Sequence, residues 1–154
     1  MILLVGQVGR EMLDREAFQE VNHQIFFSEM SKWSAEIKDS SRIPEYLSHA
    51  FHVVLSGRPG PVVLSLPEDM LRDVAEVEDA PRAIPVQATP SMEQMSDFRE
   101  MLKNAERPLM ILGGSGWSPE ACHFITHFAE QQHLPVAVTF PCPDRMGNDH
   151  KSYV

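Results

Sequence analysis

Ser56-Gly57-Arg58-Pro59-Gly60-Pro61-Val62-Val63-Leu64-Ser65-Leu66-Pro67 is the stretch on which the reading of the fold turns. Gly57 and Gly60 alternate with Pro59 and Pro61, a stiff and sterically open turn. The apolar run over 61–66 that follows, bounded by proline, predicts a short strand of the kind buried inside a parallel sheet. Ahead of the turn, Ile43, Tyr46, Leu47, Ala50, Phe51 and Val54 recur at three- and four-residue steps, which predicts one buried helical face over 42–55, ended by Gly57. Within the turn, Arg58 offers a planar fork of donors. An anionic ligand would suit it, and so would a carboxylate of the chain itself that pins the turn.

The same alternation extends in both directions. Residues 2–8, 109–112 and 135–140 are further apolar runs bounded by glycine or proline and predict strands. Met92, Met95, Phe98, Met101 and Leu102 form a helical stripe behind Ser91, with Gln94 three residues on in a capping-box pattern. Pro119, preset for a first helical turn after Ser118, opens a helix with Ala121, Phe124, Ile125, Phe128 and Ala129 on one face. Strand and helix in alternation predict an α/β fold with parallel sheets flanked by helices. Residues 73–90 carry acids and Pro81, Pro85 and Pro90 without apolar periodicity, as an inter-domain connector does. The expected organisation is therefore a domain over 1–72, a linker over 73–90 and a second domain over 91–154. With two major strands each, both domains read as incomplete, since an ordinary sheet has about 5–6 strands.

Composition removes several function classes. Hydrophobic residues make up 43% and charged residues 23%, enough for a globular core. The formal net charge is -9 and no basic stripe appears, so nucleic acid is not an expected partner. The apolar start Ile2-Leu3-Leu4-Val5 is too short for a signal peptide or a membrane span, which points to the cytoplasm and away from the membrane. Cys122 and Cys142 stand apart and read as reduced thiols. His49 and His52, or His123 and His127, have helical spacing without a companion glutamate, so no metal site is expected from them.

Phe18 and Gln19 pair a rigid apolar ring with an amide that both donates and accepts, a combination that suits the wall of a site or, more blandly, a core phenylalanine beside a surface glutamine. Lys32 reads first as a solvated lysine. Gly113-Gly114-Ser115-Gly116 closes a strand ahead of a helix, geometry that admits a nucleotide to the backbone or serves close packing, and it lacks the full dinucleotide fingerprint.

Taken in order, Gly6-Gln7-Val8, Ala17-Phe18-Gln19-Glu20, Ser31-Lys32-Trp33 and Ser56 to Val62 leading to Leu66-Pro67 resemble the second half of the pyrimidine-binding domain of the thiamine-diphosphate-dependent acetolactate synthase family. Arg107-Pro108, Gly113-Gly114 and Leu134-Pro135-Val136 continue the resemblance into the first half of that family's Rossmann-like central domain. The resemblance implies a transferase or lyase that decarboxylates or ligates small 2-oxo acids with thiamine diphosphate and magnesium, as a homodimer or tetramer. It implies that Gln19 approaches thiamine diphosphate held by a partner subunit, that Phe18 and Lys32 border the substrate channel, and that Arg58 touches FAD where a flavin is present. Gly114, Thr139 and Phe140 match contacts to FAD or an adenine nucleotide. Two positions of that channel depart from the synthases: Glu68 stands where they carry a lysine, and Gly9 where many carry a proline. Both departures favour a 2-oxo-acid decarboxylase or carboligase other than acetolactate synthase.

The family's proton-moving glutamate and its Gly-Asp-Gly magnesium segment find no match in the chain. The expectation is an internal fragment, poorly soluble and inactive by itself. A non-catalytic nucleotide-binding module and a structural remnant are the alternatives.

Overall fold

A computed structural model describes residues 1–86 and 88–154. It separates into two compact units, Met1–Gln87 and Ala88–Val154, each built on a parallel sheet. The α/β class expected from the alternation of apolar runs is the class observed. Position 87 of the expected connector lies outside the described residues.

In the first unit β1 (Ile2–Gln7), β2 (Trp33–Glu36) and β3 (Val62–Pro67) form a sheet in the order β1-β3-β2. Ile2 to Gln7 align with Val62 to Pro67, and Trp33 to Glu36 with Val62 to Ser65. The strand that follows the Gly-Pro turn is thus central, and its residues Val62, Val63, Leu64 and Ser65 are buried. Such burial on both faces is why it reads as a continuous apolar run.

The expectation of two major strands here is corrected to three. Trp33-Ser34-Ala35-Glu36 is a short edge strand of mixed polarity, with one buried apolar residue, Ala35, and the buried Ile37 just beyond it. A four-residue run of that composition has no apolar continuity to announce it. A short helix, α1 (His23–Phe26), precedes it, capped by Asn22.

The helix α2 (Ile43–Leu55) lays Ala50 and Val54 onto the sheet. They join Ala35, Ile37, Val62, Leu64 and Met70 in one core cluster, with Ile43, Tyr46 and Leu47 packed at its margin. Phe51, expected on the buried face, is 49% exposed. It lines an apolar groove of about 830 Å3 between α2 and residues 73–85, which carry neither helix nor strand.

The second unit contains α3 (Met92–Asn104), β4 (Met110–Leu112), α4 (Pro119–Gln131) and β5 (Val136–Val138). β4 and β5 pair in parallel from Met110↔Val136 to Leu112↔Val138, and Val136 also bridges Tyr153. The strand expected over 135–140 is shorter because the chain turns at Thr139, where the Cys142 amide donates to the Thr139 carbonyl at 2.8 Å.

Both arms of the expected capping box are present. The Gln94 amide donates to Ser91 Oγ at 3.1 Å, and Gln94 Oε1 accepts from the Ser91 amide at 2.9 Å. The stripe behind it does not fill a core: Met92 is 82% and Met101 71% exposed, while Leu102 packs against the cluster of Leu112, Ala129, Leu134, Val136 and Met146. Helical spacing defines a face but does not supply what covers it. Among the described residues, no helix is long and apolar enough to cross a membrane.

Candidate functional site

Open parallel sheets bind ligands beyond the carboxyl ends of their strands. There, in the first unit, a cleft of about 750 Å3 is lined by Gly6, Gln7 and Val8 from the end of β1, by Ala17, Phe18 and Gln19 from the following loop, and by Glu68 beyond β3. The end of β1 is rigid. Gln7 is buried; its Nε2 donates to the Val21 carbonyl at 2.7 Å, and its Oε1 accepts from the Val8 amide at 3.0 Å.

Two charged side chains hold the loops around the cleft. Arg10 donates through its backbone amide and its Nε to the two carboxylate oxygens of Asp69, at 2.8 and 2.7 Å. Its other nitrogens reach the Lys38 carbonyl at 2.8 Å and Asp73 at 2.9 Å, so one guanidinium joins the loops after all three strands. The Arg10 side chain, and then its backbone amide, hold the Asp69 carboxyl below the usual carboxylate range.

Glu20 plays the corresponding part in the loop that carries Phe18 and Gln19. Its Oε1 accepts from the Asp14 amide at 2.6 Å and its Oε2 from the Ala17 amide at 3.0 Å. The Asp14 amide first, and then that of Ala17, hold its carboxyl below the usual glutamate range. The loop needs such support, because Asp14, Glu16 and Gln19 have φ of 63°, 54° and 70°. Left-handed backbone is disfavoured by about 1–2 kcal/mol for a residue other than glycine. Phe18 is 90% exposed beside Gln19.

Among the residues expected from the sequence, Phe18, Gln19 and Glu68 share this cleft. Gly9 is not among the lining residues; it is buried against Asp69, with φ −54° and ψ 147°, a conformation that proline also adopts. Lys32 and Arg58 are elsewhere. The Lys32 amide donates to the Pro61 carbonyl ahead of β3, whereas the Glu68 amide donates to Gln7 beyond it. Those ends are about 20 Å apart along a six-residue strand.

Lys32 Nζ donates to the Val53 and Ser56 carbonyls, each at 2.6 Å, and so caps the carboxyl end of α2. Its stem lies over Gly60, where an added Cβ would come within 2.9 Å of Cγ. Arg58 is exposed in the turn at that same end of the sheet.

In the second unit, Gly114, Thr139 and Phe140 lie in the turns that follow β4 and β5. An added Cβ on Gly113 would stand 2.7 Å from both Thr139 Cγ2 and Oγ1, so this glycine is required for close packing. Gly114 and Gly116 have φ of 81° and 88° and open space around them. Trp117 Nε1 donates to the Gly113 carbonyl at 3.0 Å, and Phe140 is wholly exposed. The amide end of α4 is already served: Ser118 Oγ accepts from the Ala121 amide at 3.1 Å, and the Glu120 carboxyl is held low by its own backbone amide and by Ser118. A phosphate would meet a carboxylate there.

Among the described residues, no group of three or more His, Cys, Asp and Glu side chains is arranged to hold a metal ion. Gln7 entered the sequence reading only within the motif Gly6-Gln7-Val8, whereas Arg10 and Asp69 were not singled out. Their signal was position alone, since each stands at or just beyond the end of an apolar run.

Residues 95–154 match the family model described as thiamine pyrophosphate enzyme, central domain. Over 98% of its length the chain is 34% identical to the glyoxylate carboligase of Escherichia coli O157:H7, covering 26% of that protein. Over 90% of its length it is 33% identical to acetolactate synthase isozyme 1 large subunit of Escherichia coli K12, covering 25% of it. Over nearly its whole length the chain is thus similar to thiamine-diphosphate-dependent enzymes, and residues 95–154 match their central domain.

The solved structure of the thiamine diphosphate-dependent 4-hydroxybenzoylformate decarboxylase of Rhodococcus jostii RHA1 is similar with a TM-score of 0.82 and 25% identity, over 99% of this chain and 30% of that one. The chain spans about a quarter of the length of the curated relatives that it matches. The motifs that carried the resemblance fall in both units, on either side of position 87.

Proposed function

We propose that this chain is a stretch of a longer thiamine-diphosphate-dependent enzyme that decarboxylates or ligates a small 2-oxo acid. The observation that carries the reading is the cleft beyond β1 and β3, which Gln19, the exposed Phe18 and Glu68 line together. Bound thiamine diphosphate supplies the carbon nucleophile for the 2-oxo carbonyl. Gln19 would hold the cofactor through its amide, Phe18 would wall the channel, and Gly9 would back it. Projection of Phe18 into solvent supports a homo-oligomer in which this loop meets cofactor held by the partner.

Glu68 is exposed at the cleft and places an anion where a second 2-oxo-acid carboxylate would otherwise be drawn in, which argues against acetolactate formation. Magnesium would be held outside the described residues, with the cofactor's diphosphate. In the second unit Gly114, Thr139 and Phe140 remain the positions for FAD or an adenine nucleotide, with the phosphates kept from the α4 amide end by Glu120; Arg58 in the first unit is a separate candidate for a flavin contact. The free thiols Cys122 and Cys142 support a cytoplasmic location.

The test is calorimetric titration of the intact enzyme with thiamine diphosphate and magnesium, followed by carbon dioxide release from a panel of 2-oxo acids. Binding with turnover of at least one acid is expected. Absence of binding overturns the reading. The 154-residue chain alone is expected to release no carbon dioxide above the blank, and a flavin spectrum in the intact enzyme decides the FAD assignment.

A further inference from the structure

Glu20 lies outside the residues that line the cleft with Phe18 and Gln19. Yet its two carboxylate oxygens accept the amides of Asp14 and Ala17, at 2.6 and 3.0 Å, and its own amide donates to the Ala17 carbonyl at 3.0 Å. The chain from 14 to 20 is thereby folded around one carboxylate. Three of its residues, Asp14, Glu16 and Gln19, hold positive φ without being glycine. Strained backbone of this kind persists where its surroundings over-determine it, and it concentrates at functional sites. Gln19, the last of the three, precedes Glu20 directly and is itself at the cleft.

From this geometry we infer that Glu20 is a positioning residue: its charged carboxylate gathers the loop amides and so sets the direction in which Phe18 and Gln19 are presented to a ligand in the cleft. The inference rests on the proposed thiamine reading for the identity of that ligand, but not for the loop mechanism. A protonated carboxyl retains one good acceptor and adds a donor that faces an N–H, so the loop should loosen when Glu20 is neutralised.

The depressed pKa of Glu20 gives the sign. Support is complete above the ordinary glutamate value and is lost as the pH falls through the lower folded value. The titratable groups around it are Asp14, Arg15 and Glu16 on its own loop, His23 on α1, and Glu36 and Lys38 at the end of β2.

Residue-resolved amide exchange and chemical-shift titration of the protein test this. In Glu20→Gln, exchange at Asp14 and Ala17 should accelerate on the order of tenfold with no change at Val63 and Leu64 in β3. In the unsubstituted protein, the amide shifts of Asp14, Ala17 and Gln19 should move together with one midpoint below that of an ordinary glutamate. That titration needs no variant to fold. Unchanged exchange in a folded Glu20→Gln protein, or a Gln19 amide indifferent to that midpoint, overturns the proposal.

Titration of the intact enzyme and its Glu20→Gln form with thiamine diphosphate separates the two readings. Weaker binding by the variant supports both. Binding by neither, with the amide response intact, sinks the thiamine reading alone. Equal binding by both sinks the positioning role.

Discussion

In the first unit the loops beyond the strands are tied by charge, with Arg10 reaching Asp69, Asp73 and the Lys38 carbonyl, and Glu20 gathering the amides of Asp14 and Ala17. In the second unit the turn beyond β4 is held by a missing side chain. Gly113 presses against Thr139, and Gly114 and Gly116 take left-handed backbone that L-residues avoid. Both devices place candidate residues beyond the carboxyl ends of parallel strands. They differ in what can undo them: charge yields to pH and to removal of one partner, whereas close packing yields to volume.

The largest expected effect tests the packing side. Gly113→Ala should destabilise the second unit by about 1–3 kcal/mol, as overpacking does, read from urea unfolding. Adding Thr139→Ala should recover most of that loss, because it removes both atoms found at 2.7 Å. A double variant as unstable as the single one would show that the contact is not the cause.

The charge side should respond to acid. Asp69 and Glu20 both have lowered folded pKa values, so their contribution is full above the ordinary carboxylate range and drains away as pH falls through the folded values. Between about pH 5 and 2, amide protection in the loops after β1 and β3 should fall while that of the Thr139 amide and the Trp117 indole N–H holds. Glu130, lowered by Lys151 and then His150, predicts that residues 150–154 loosen over the same range. Uniform loss of protection in both turns would erase the contrast. Arg10→Met should produce the loop response at neutral pH, with proteolysis between residues 10 and 22 faster on the order of tenfold.

Smaller effects sharpen the division between the ends of the first sheet. Lys32→Met removes a cation from the carboxyl end of α2 and should cost about 0.5–1 kcal/mol. Glu68→Gln should leave stability within about 0.5 kcal/mol. In the intact enzyme it should lower the KM for anionic 2-oxo acids about two- to fivefold, a change in long-range attraction rather than in contacts. A stability loss for Glu68→Gln equal to that for Lys32→Met would remove the distinction.

What could be read from the chain beforehand follows a physical line. The capping box at Ser91 and Gln94, Pro119 behind Ser118, and the run behind the Gly-Pro turn became α3, α4 and β3, because each depends on neighbours within a few residues. The strand β2 stayed hidden because four residues of mixed polarity resemble a loop until β3 lies beside them. The exposed face of α3 shows the converse, a strong local period whose cover lies outside the helix. Within the candidate site, the motif residues Phe18 and Gln19 were legible and do share a cleft with Glu68. Lys32, expected in the same channel, lies at the opposite end of the sheet with its ammonium on the carbonyls of α2.

By itself, then, the sequence determined the α/β class, most of the elements and the resemblance to thiamine-diphosphate-dependent enzymes, since periodicity, turn chemistry and motif order are all written along the chain. The tertiary structure alone decided which residues meet. Arg10 and Asp69 are 59 positions apart and Gln7 and Val21 are 14 apart. No local pattern specifies such pairs, because their contact exists only once parallel strands have brought their carboxyl ends to one edge.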